Sequence, residues 1–472
     1  MSEPRTDRHL VPALVYGALS TAIVSSLGML LVPSIAEGLD VTVSTAQWTL
    51  TINLLVGAIA TPVMGRISDG PHKKRLLLVS LFLILLGSVL AAIATNFALF
   101  LVGRALQGLT YGIVSVTIAM ARRYVEPARV QSSISTLSVT VASGIGIGYP
   151  LTGVIAGETN FRMAFWFAAL FVLSAILVVV RFVPVGPDER APRHALDFPG
   201  ATLLGLGLGA LLLGISEGEN WGWTSIETLA TLTLAVVLLV FWVRVELRAP
   251  HPLINLRVLR AGDVVLANGT AIGLGMAMYI GLSVGSLVAQ SPEDTGYGLG
   301  LPVLWAGFVM FPLSVGSLTA NRLVRRIAHR IQLATLLPVG AGLMTVASFL
   351  LWFAHEQLWE VLLGMLLFGL GMGAAYAAMP ALIERNVAVE ELGSSVSFNQ
   401  VLRTVGSSFG TAVTGALLAA NMAPDGHSTE AGIDNSFALG ALLCTAVLVA
   451  LLANWVRSSA EKRALHRARR IG

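Results

Sequence analysis

The sequence contains little charge and almost no cysteine, and both shortages narrow the class of protein. Charged residues make up 12% of its 472 residues, about half the share that is typical of a soluble domain. Hydrophobic residues make up 55%, and the mean hydropathy is +0.78. The single cysteine, Cys444, lies in an apolar run and has no partner for an intrachain disulfide. These values exclude a water-soluble protein and a disulfide-based fold.

Motifs for nucleotide-driven or metal-dependent chemistry are also absent from the sequence. There is no Gly-x-x-x-x-Gly-Lys-Ser/Thr loop for ATP phosphates and no His/Cys cluster with metal-ligand spacing. No nucleophile motif stands in a context suited to catalysis. We therefore expect no enzymatic activity, no metal and no cofactor. The net charge of +4 requires no nucleic-acid partner.

Long apolar runs dominate the sequence instead. A membrane-spanning helix needs about 20 mostly apolar residues, and the runs are too long and continuous for barrel strands. We predict an all-α integral membrane protein with fourteen spans. They lie near 10–35, 46–66, 76–95, 97–120, 131–156, 162–183, 199–216, 226–246, 262–289, 301–321, 331–353, 357–382, 394–420 and 435–456. The run at 10–35 is too long for the apolar core of a signal peptide, so it is predicted to be the first span.

The positions of Lys and Arg predict the orientation. An even number of spans places both termini on the same side of the membrane. If that side is the cytoplasm, the outer loops contain only Arg162 and the inner loops contain almost all other basic residues. We therefore expect a multi-pass protein of the cell membrane with both termini cytoplasmic. An ordinary cytoplasmic charge cluster explains the basic tail at 457–472 better than a specific lipid site does.

One charged loop between the second and third predicted spans has a distinctive residue order. Residues 65–75 read Gly-Arg-Ile-Ser-Asp-Gly-Pro-His-Lys-Lys-Arg. The loop resembles motif A of the major facilitator superfamily, whose pattern is Gly-x-Leu-Ala-Asp-x-x-Gly-Arg-Lys. Gly65, Asp69, Lys73 and Lys74 match this pattern, whereas His72 replaces its second Gly.

Other segments extend the resemblance over essentially the whole chain. Residues 104–108, Arg-Ala-Leu-Gln-Gly, resemble motif B in the fourth span, and residues 144–153 resemble the antiporter motif C in the fifth. Asp-Phe-Pro-Gly at 197–200 and Pro-Leu-Ile-Asn-Leu at 252–256 resemble the fourteen-helix drug:proton antiporter branch. The resemblance implies two pseudo-symmetric six-helix bundles, at 1–183 and 262–456. Two extra helices would lie in an insertion at 184–261, and the protein would act as a monomer.

The resemblance also implies roles for several residues. In the loop, a switch that closes the cytoplasmic face would involve Gly65, Asp69, Gly70, Lys73, Lys74 and Arg75, although a static loop that only sets topology is the alternative. In the fifth span, close helix packing that suppresses leak would involve Gly144, Gly148, Pro150 and Gly153, with ordinary packing as the alternative.

Motif B arginines are associated with proton transfer. Arg104, a charge within an apolar span, is either such a functional group or a structural one.

The carboxylate that would couple transport to protons is not evident. Many members of the branch carry an Asp midway along the first span, where this chain has Val24. No Asp or Glu lies clearly at the middle of any predicted span. Glu158, near the antiporter motif and Arg162, is the best candidate together with Arg104, and an ordinary interfacial acid is the alternative.

A cavity between the bundles would be lined by polar and aromatic residues of the spans. The candidates are Asn53, Gln107, Tyr111, Tyr149, Tyr279, Asn399, Gln400 and Arg403. Core or lipid-facing positions are the alternative for each of them. The function implied is proton-coupled export of a small organic compound by alternating access. A proton-independent facilitator or exchanger and a non-transporting receptor or scaffold are the alternatives.

Overall fold

The protein is helical throughout the part of the chain that the structure, a computed structural model, describes. That part comprises residues 7–28, 30–41, 43–185, 197–250, 252–257, 262–327, 335–388, 391–421 and 428–471. The helices are α1 Asp7–Ser26, α2 Val32–Gly38, α3 Val43–Asp69, α4 Lys73–Ile93, α5 Phe97–Gln107, α6 Thr110–Tyr124, α7 Pro127–Glu158, α8 Phe161–Phe182, α9 Phe198–Trp221, α10 Ile226–Glu246, α11 Gly262–Gln290, α12 Val303–Val309, α13 Phe311–Ile327, α14 Leu336–Phe353, α15 Leu358–Asn386, α16 Leu392–Ala420 and α17 Glu430–Ile471. Residues 186–196 and 258–261, at the predicted borders of the insertion, lie outside the described residues. The division into bundles and insertion stays a prediction.

Thirteen helical segments within the described residues are long and apolar enough to cross a membrane. They match thirteen of the fourteen predicted spans. The remaining one, 394–420, corresponds to α16, whose 29 residues give a length of about 43 Å. Its many Ser, Thr, Asn and Gln residues lower its hydropathy, and several of them face the interior of the molecule. The expectation of an all-α membrane protein with about fourteen spans is confirmed.

Three predicted spans are not continuous helices. The first is divided into α1 and α2, where the chain passes close to a buried arginine: a Cβ on Gly28 would lie 2.6 Å from Nη2 of Arg104. The fourth is divided at Gly108, which packs against the carbonyl oxygen of Asn53. The tenth is divided into α12 and α13 just before Pro312. Proline has no backbone N–H, so it cannot donate the hydrogen bond that would join the two helices into one.

Helices from the two ends of the chain pack against each other. α3 packs on α16, and α7 packs on α12, α13 and α15. α9 and α10 form an antiparallel pair, and α9 also packs on both α3 and α16. The helices of the predicted insertion are therefore part of the main helical assembly.

The outer faces of the peripheral helices are apolar, as a membrane requires. Leu170 and Leu177 of α8 are 65% and 62% exposed, and Ile226 of α10 is 82% exposed. Water-soluble proteins rarely expose large contiguous apolar patches, so these faces are suited to contact lipid.

Glycines bring α11 and α16 close together. A Cβ on Gly275 would lie 2.6 Å from the carbonyl oxygen of Arg403. Gly406 and Gly410 of α16 in turn pack against the carbonyl oxygens of Ile272 and Met276. Helices approach this closely only where side chains are absent.

The first prediction concerns this contact. Gly406→Ala would force a methyl group against the Ile272 carbonyl, so we expect a loss of about 1–3 kcal/mol in the stability of the folded protein. Gly269→Ala on α11 is the control, because nothing lies within 4 Å of its Cβ position. Thermal unfolding of both purified variants measures the difference. A melting temperature as high for Gly406→Ala as for Gly269→Ala would contradict the packing.

Candidate functional site

A cavity of about 450 Å³ lies inside the helical assembly. Its walls come from α1, α2, α3, α5, α6, α7, α9, α11 and α16. A volume of this size is typical of sites for small organic molecules. A smaller pocket of about 40 Å³ adjoins it, since Ser25, Leu54, Tyr111 and Tyr279 line both.

Six of the eight predicted cavity residues line these spaces. Asn53, Tyr111, Tyr149 and Tyr279 line the large cavity, and Gln400 and Arg403 line the adjoining pocket. The three tyrosines supply large, mainly apolar surfaces that can pack against a ligand.

The other two predicted residues hold helices together instead. Gln107 is fully buried and donates from Nε2 to Ser88 Oγ of α4 at 2.8 Å. Asn399 donates from Nδ2 to the Ala267 carbonyl oxygen at 3.1 Å and to Asn268 Oδ1 at 2.9 Å, both on α11. Neither residue belongs to the described lining of the cavity.

Several lining residues escaped the sequence analysis. Ser408, Thr411 and Gly415 line the cavity at helical spacing along α16, a pattern that could have identified them. Ser216 of α9 also lines it, and its hydroxyl lies 2.8 Å from that of Thr51 on α3. No pattern in the sequence indicates that a helix of the insertion forms a wall of the cavity.

Arg104 is fully buried at the edge of the cavity. Its Nη1 donates to Gln107 Oε1 at 2.5 Å, and its Nε donates to the Thr49 carbonyl oxygen at 3.3 Å. Its Nη2 has no hydrogen-bond partner among the described residues. Asn53 donates to the Arg104 carbonyl oxygen at 3.1 Å, which fixes α3 against α5.

The second feature of the site is the Asp69 latch, formed where the 65–75 loop meets α16. Asp69 is 8% exposed, and its carboxylate accepts hydrogen bonds from the backbone N–H groups of Gly393 at 2.6 Å and Ser394 at 3.0 Å. Both groups belong to the first turn of α16, where the helix dipole and free N–H groups favour an anion. The carboxylate thus joins the end of α3 to the start of α16.

Glycines allow the latch to form. A Cβ on Gly65 would lie 2.8 Å from the Gly393 carbonyl oxygen, and a Cβ on Gly393 would lie 2.6 Å from Asp69 Oδ1. Leu54 lines the cavity and Asp69 forms the latch, and both lie on α3. At 1.5 Å per residue, the two are about 22 Å apart along the helix. The two features therefore occupy different levels of the assembly.

The rest of the loop turns the chain from α3 into α4. Lys73 is buried and donates to the Gly70 carbonyl oxygen at 2.7 Å, and Lys74 donates to the Val180 carbonyl oxygen of α8 at 3.1 Å. Arg75 is exposed. His72 has a φ of 67°, in the left-handed region, where the family pattern has glycine. Histidine tolerates this conformation better than most residues do.

Three further polar contacts involve α6, α15, α9 and the start of α16. Arg122 of α6 forms a salt bridge of 2.6 Å with Glu384 of α15. Asn255, which precedes α11, donates to Oε1 of Glu391 at 2.8 Å, beside the start of α16. Asp197 caps α9 by accepting from the Gly200 N–H at 2.9 Å. The segments at 197–200 and 252–256 therefore have structural roles near the loop.

The glycine-rich part of α7 packs tightly on two sides. Gly144 packs against Ala22 of α1, and Gly148 packs against Ser26. On the other side, a Cβ on Gly307 would lie 2.9 Å from the Tyr149 carbonyl oxygen and 3.3 Å from Cα of Pro150. Gly153 is buried on the same helix. This geometry fits the predicted close packing, and suppression of leak stays a prediction.

Glu158 lies at the end of α7 and is exposed. Arg162 does not pair with it but donates to the Ala94 carbonyl oxygen and lies over the Phe161 ring. Glu158 does not line the cavity. Its role in proton coupling stays a prediction.

Comparison with known proteins places this geometry in a family. Residues 13–411 match the profile of the Major Facilitator Superfamily. An uncharacterized MFS-type transporter of Mycobacterium tuberculosis is 28% identical over 410 residues, which are 86% of this chain and 58% of that protein. The chain therefore spans little more than half the length of that relative.

The multidrug resistance protein Stp of M. tuberculosis is 26% identical, over 85% of this chain and 76% of Stp. The multidrug export protein EmrB of Escherichia coli is 21% identical, over 85% of this chain and 78% of EmrB.

Solved structures show the same fold. The human organic anion transporter MFSD10 superimposes with a TM-score of 0.68 at 18% identity, over 95% of this chain and all of that chain. A peptide transporter superimposes with a TM-score of 0.61 at 14% identity, over 93% of each chain. At these identities the likeness concerns the fold alone.

The second prediction concerns the support of Arg104. Gln107→Leu keeps a similar volume but removes the acceptor of Nη1, so the folded protein should lose about 1–3 kcal/mol of stability. Ser115→Ala is the control, because the Ser115 hydroxyl bonds only within its own helix, at 2.8 Å to the Gly112 carbonyl oxygen. Thermal unfolding compares the two variants. Equal melting temperatures would show that Gln107 does not support the buried charge.

Proposed function

The chain belongs to the Major Facilitator Superfamily, and we propose that it is a secondary active exporter of small organic compounds. It would work by alternating access, driven by proton antiport. The observation that carries the proposal is the combination of an internal cavity with a breakable latch between α3 and α16. The relatives named for multidrug resistance and export support the direction of transport.

The latch suits a conformational switch because its two hydrogen bonds are strong and both lie at a single contact between two helices. Two charge-assisted hydrogen bonds at a helix N-terminus stabilise the closed arrangement. Separation of α3 from α16 would break both bonds at once and return the carboxylate to water. Two discrete arrangements of this kind are what alternating access requires.

We propose that the loop end of the molecule faces the cytoplasm. The basic residues concentrate there under the positive-inside rule. The structure then represents a state that is closed toward the cytoplasm. In the proposed division, residues 1–183 and 262–456 rock against each other while α9 remains at the cavity wall.

The driving force has two candidates. Proton antiport is the general expectation for a multidrug exporter of this kind, with Glu158 as the proposed coupling group. A facilitator or exchanger independent of protons is the second candidate. It is favoured by one observation: none of the described residues that line the cavity is Asp or Glu.

The third prediction tests the proposal by flux into inside-out vesicles that contain the protein. Panels of fluorescent amphipathic compounds are added with and without a pH gradient, and empty vesicles serve as the background. We expect uptake above that background, and we expect it to fall when the gradient collapses. Uptake that persists unchanged after collapse would contradict proton antiport and support the facilitator. No uptake of any compound would contradict transport and leave a receptor or scaffold.

A matched pair of variants sharpens this assay. If Glu158 couples the protons, Glu158→Gln abolishes the response to the gradient. Glu293→Gln is the control, since Glu293 lies in a short turn between α11 and α12, away from the cavity. A normal gradient response in Glu158→Gln would assign the coupling to another group.

A further inference from the structure

The cavity and its adjoining pocket are positively charged. Their described lining contains two permanent cations, Arg104 and Arg403, and no carboxylate. Glu217 of α9 is buried beside Ser216 but does not belong to this lining. Since Arg is always protonated in proteins, the charge persists at every physiological pH.

Arg104 has an unused hydrogen-bond donor. Its side chain is fully buried, its Nη1 and Nε bond to neutral oxygens, and its Nη2 has no partner in the described part of the chain. A buried charge without a counter-ion is costly unless something compensates it. An anion bound in the cavity would supply that compensation.

Arg403 has neutral partners only. Its Nη2 donates to Oε1 of Gln400, and its guanidinium lies 4.1 Å from the centre of the Tyr376 ring. Arg122, by contrast, has a carboxylate partner, since it forms a salt bridge of 2.6 Å with Glu384. The described residues place no carboxylate within ion-pair distance of Arg403.

One aromatic side chain connects the two spaces. Tyr111 lines both of them, with Arg104 on the large cavity and Arg403 on the adjoining pocket. Around them the wall is mainly apolar or aromatic, with Leu212 and Ile215 contributed by α9. A ligand that fits would therefore combine one anionic group with an aromatic or alkyl body.

We propose that the substrates of this exporter are amphipathic organic anions, such as aromatic carboxylates, whose charged group binds at Arg104 and Arg403. The inference rests on the proposed transport function and names its substrate class. Arg403 contacts the charged group from the adjoining pocket, and Arg104 offers its unpartnered Nη2 donor at the wall of the large cavity. Lipophilic cations are disfavoured because the cavity offers them no counter-charge.

The charge of such a substrate also bears on the driving force. A membrane potential that is negative inside favours the movement of an anion outward. Export of these compounds therefore needs no titrating group in the cavity, which matches its lack of carboxylates among the described lining residues.

The fourth prediction uses three probes of one shape and different charge: naphthylacetate, naphthylacetamide and naphthylethylammonium. Their dissociation constants for the purified full-length protein are measured by titration calorimetry. We expect naphthylacetate to bind at least about tenfold more tightly than the amide, and the ammonium to bind most weakly. Equal or tighter binding of the amide or the ammonium would overturn the proposal, as would the absence of binding by the carboxylate.

Variants assign the effect to Arg403. Arg403→Gln should reduce the preference for the carboxylate over the amide to within about threefold, while Arg403→Lys should retain part of it. Arg181→Gln is the control, because Arg181 is exposed at the end of α8. Arg403→Gln must keep the wild-type melting temperature to within a few degrees, and if it does not, the Lys variant alone is compared. An unchanged preference in the folded Arg403 variant would overturn the assignment.

Flux of the same probes in proteoliposomes separates this inference from the proposed function. Transport of the amide or the ammonium without transport of the carboxylate overturns the anion proposal and leaves the exporter standing. Selective binding of the carboxylate with no flux of any probe supports the anion site and contradicts transport. Carboxylate flux that rises with an imposed potential supports both.

Discussion

The contact between α3 and α16 at the 65–75 loop depends on one carboxylate placed at the start of one helix. Asp69 ends α3, and its two oxygens accept the first free N–H groups of α16, more than 320 residues further along the chain. Gly65 and Gly393 make the approach possible, since a side chain at either position would separate the helices. The salt bridge from Arg122 to Glu384 closes the same end of the assembly.

The cavity has the character of a site for an amphipathic anion. Arg104 lines it and Arg403 lines the adjoining pocket, neither with a described carboxylate partner, and α9 of the predicted insertion completes the cavity wall. An anion that leaves a cell gains about 2.3 kcal/mol per 100 mV of inside-negative potential. A positive cavity and an outward electrical driving force are compatible with each other, and neither requires a titrating acid at the centre of the membrane.

Much of this architecture could be predicted from the sequence. Apolar runs predicted thirteen of the helical crossings as well as α16, because hydrocarbon imposes length and hydropathy on each span. The residue order at 65–75 indicated the loop, but not that Asp69 would cap α16, since that contact depends on how distant helices pack. His72 shows the same limit: its left-handed backbone explains why the family pattern has glycine there.

The cavity was harder to predict. Tyr111, Tyr149 and Tyr279 are aromatic at membrane depth and were identified, whereas Gln107 and Asn399 have similar polarity but hold helices together. Polarity alone does not show which way a side chain points. The place of α9 at the cavity wall depends on how the helices of the predicted insertion pack on α3 and α16, and no local sequence pattern encodes that packing.

The separation of α3 from α16 at the loop end tests the account most directly. Spin labels at Arg75→Cys and Ala388→Cys, both exposed positions, can be attached after the single buried cysteine is replaced by Cys444→Ser. Pulsed electron paramagnetic resonance then measures the distance between them in lipid. We predict a short distance that is dominant with Asp69 present and a longer one that becomes dominant in Asp69→Ala. An identical distance distribution with and without Asp69 would contradict the latch.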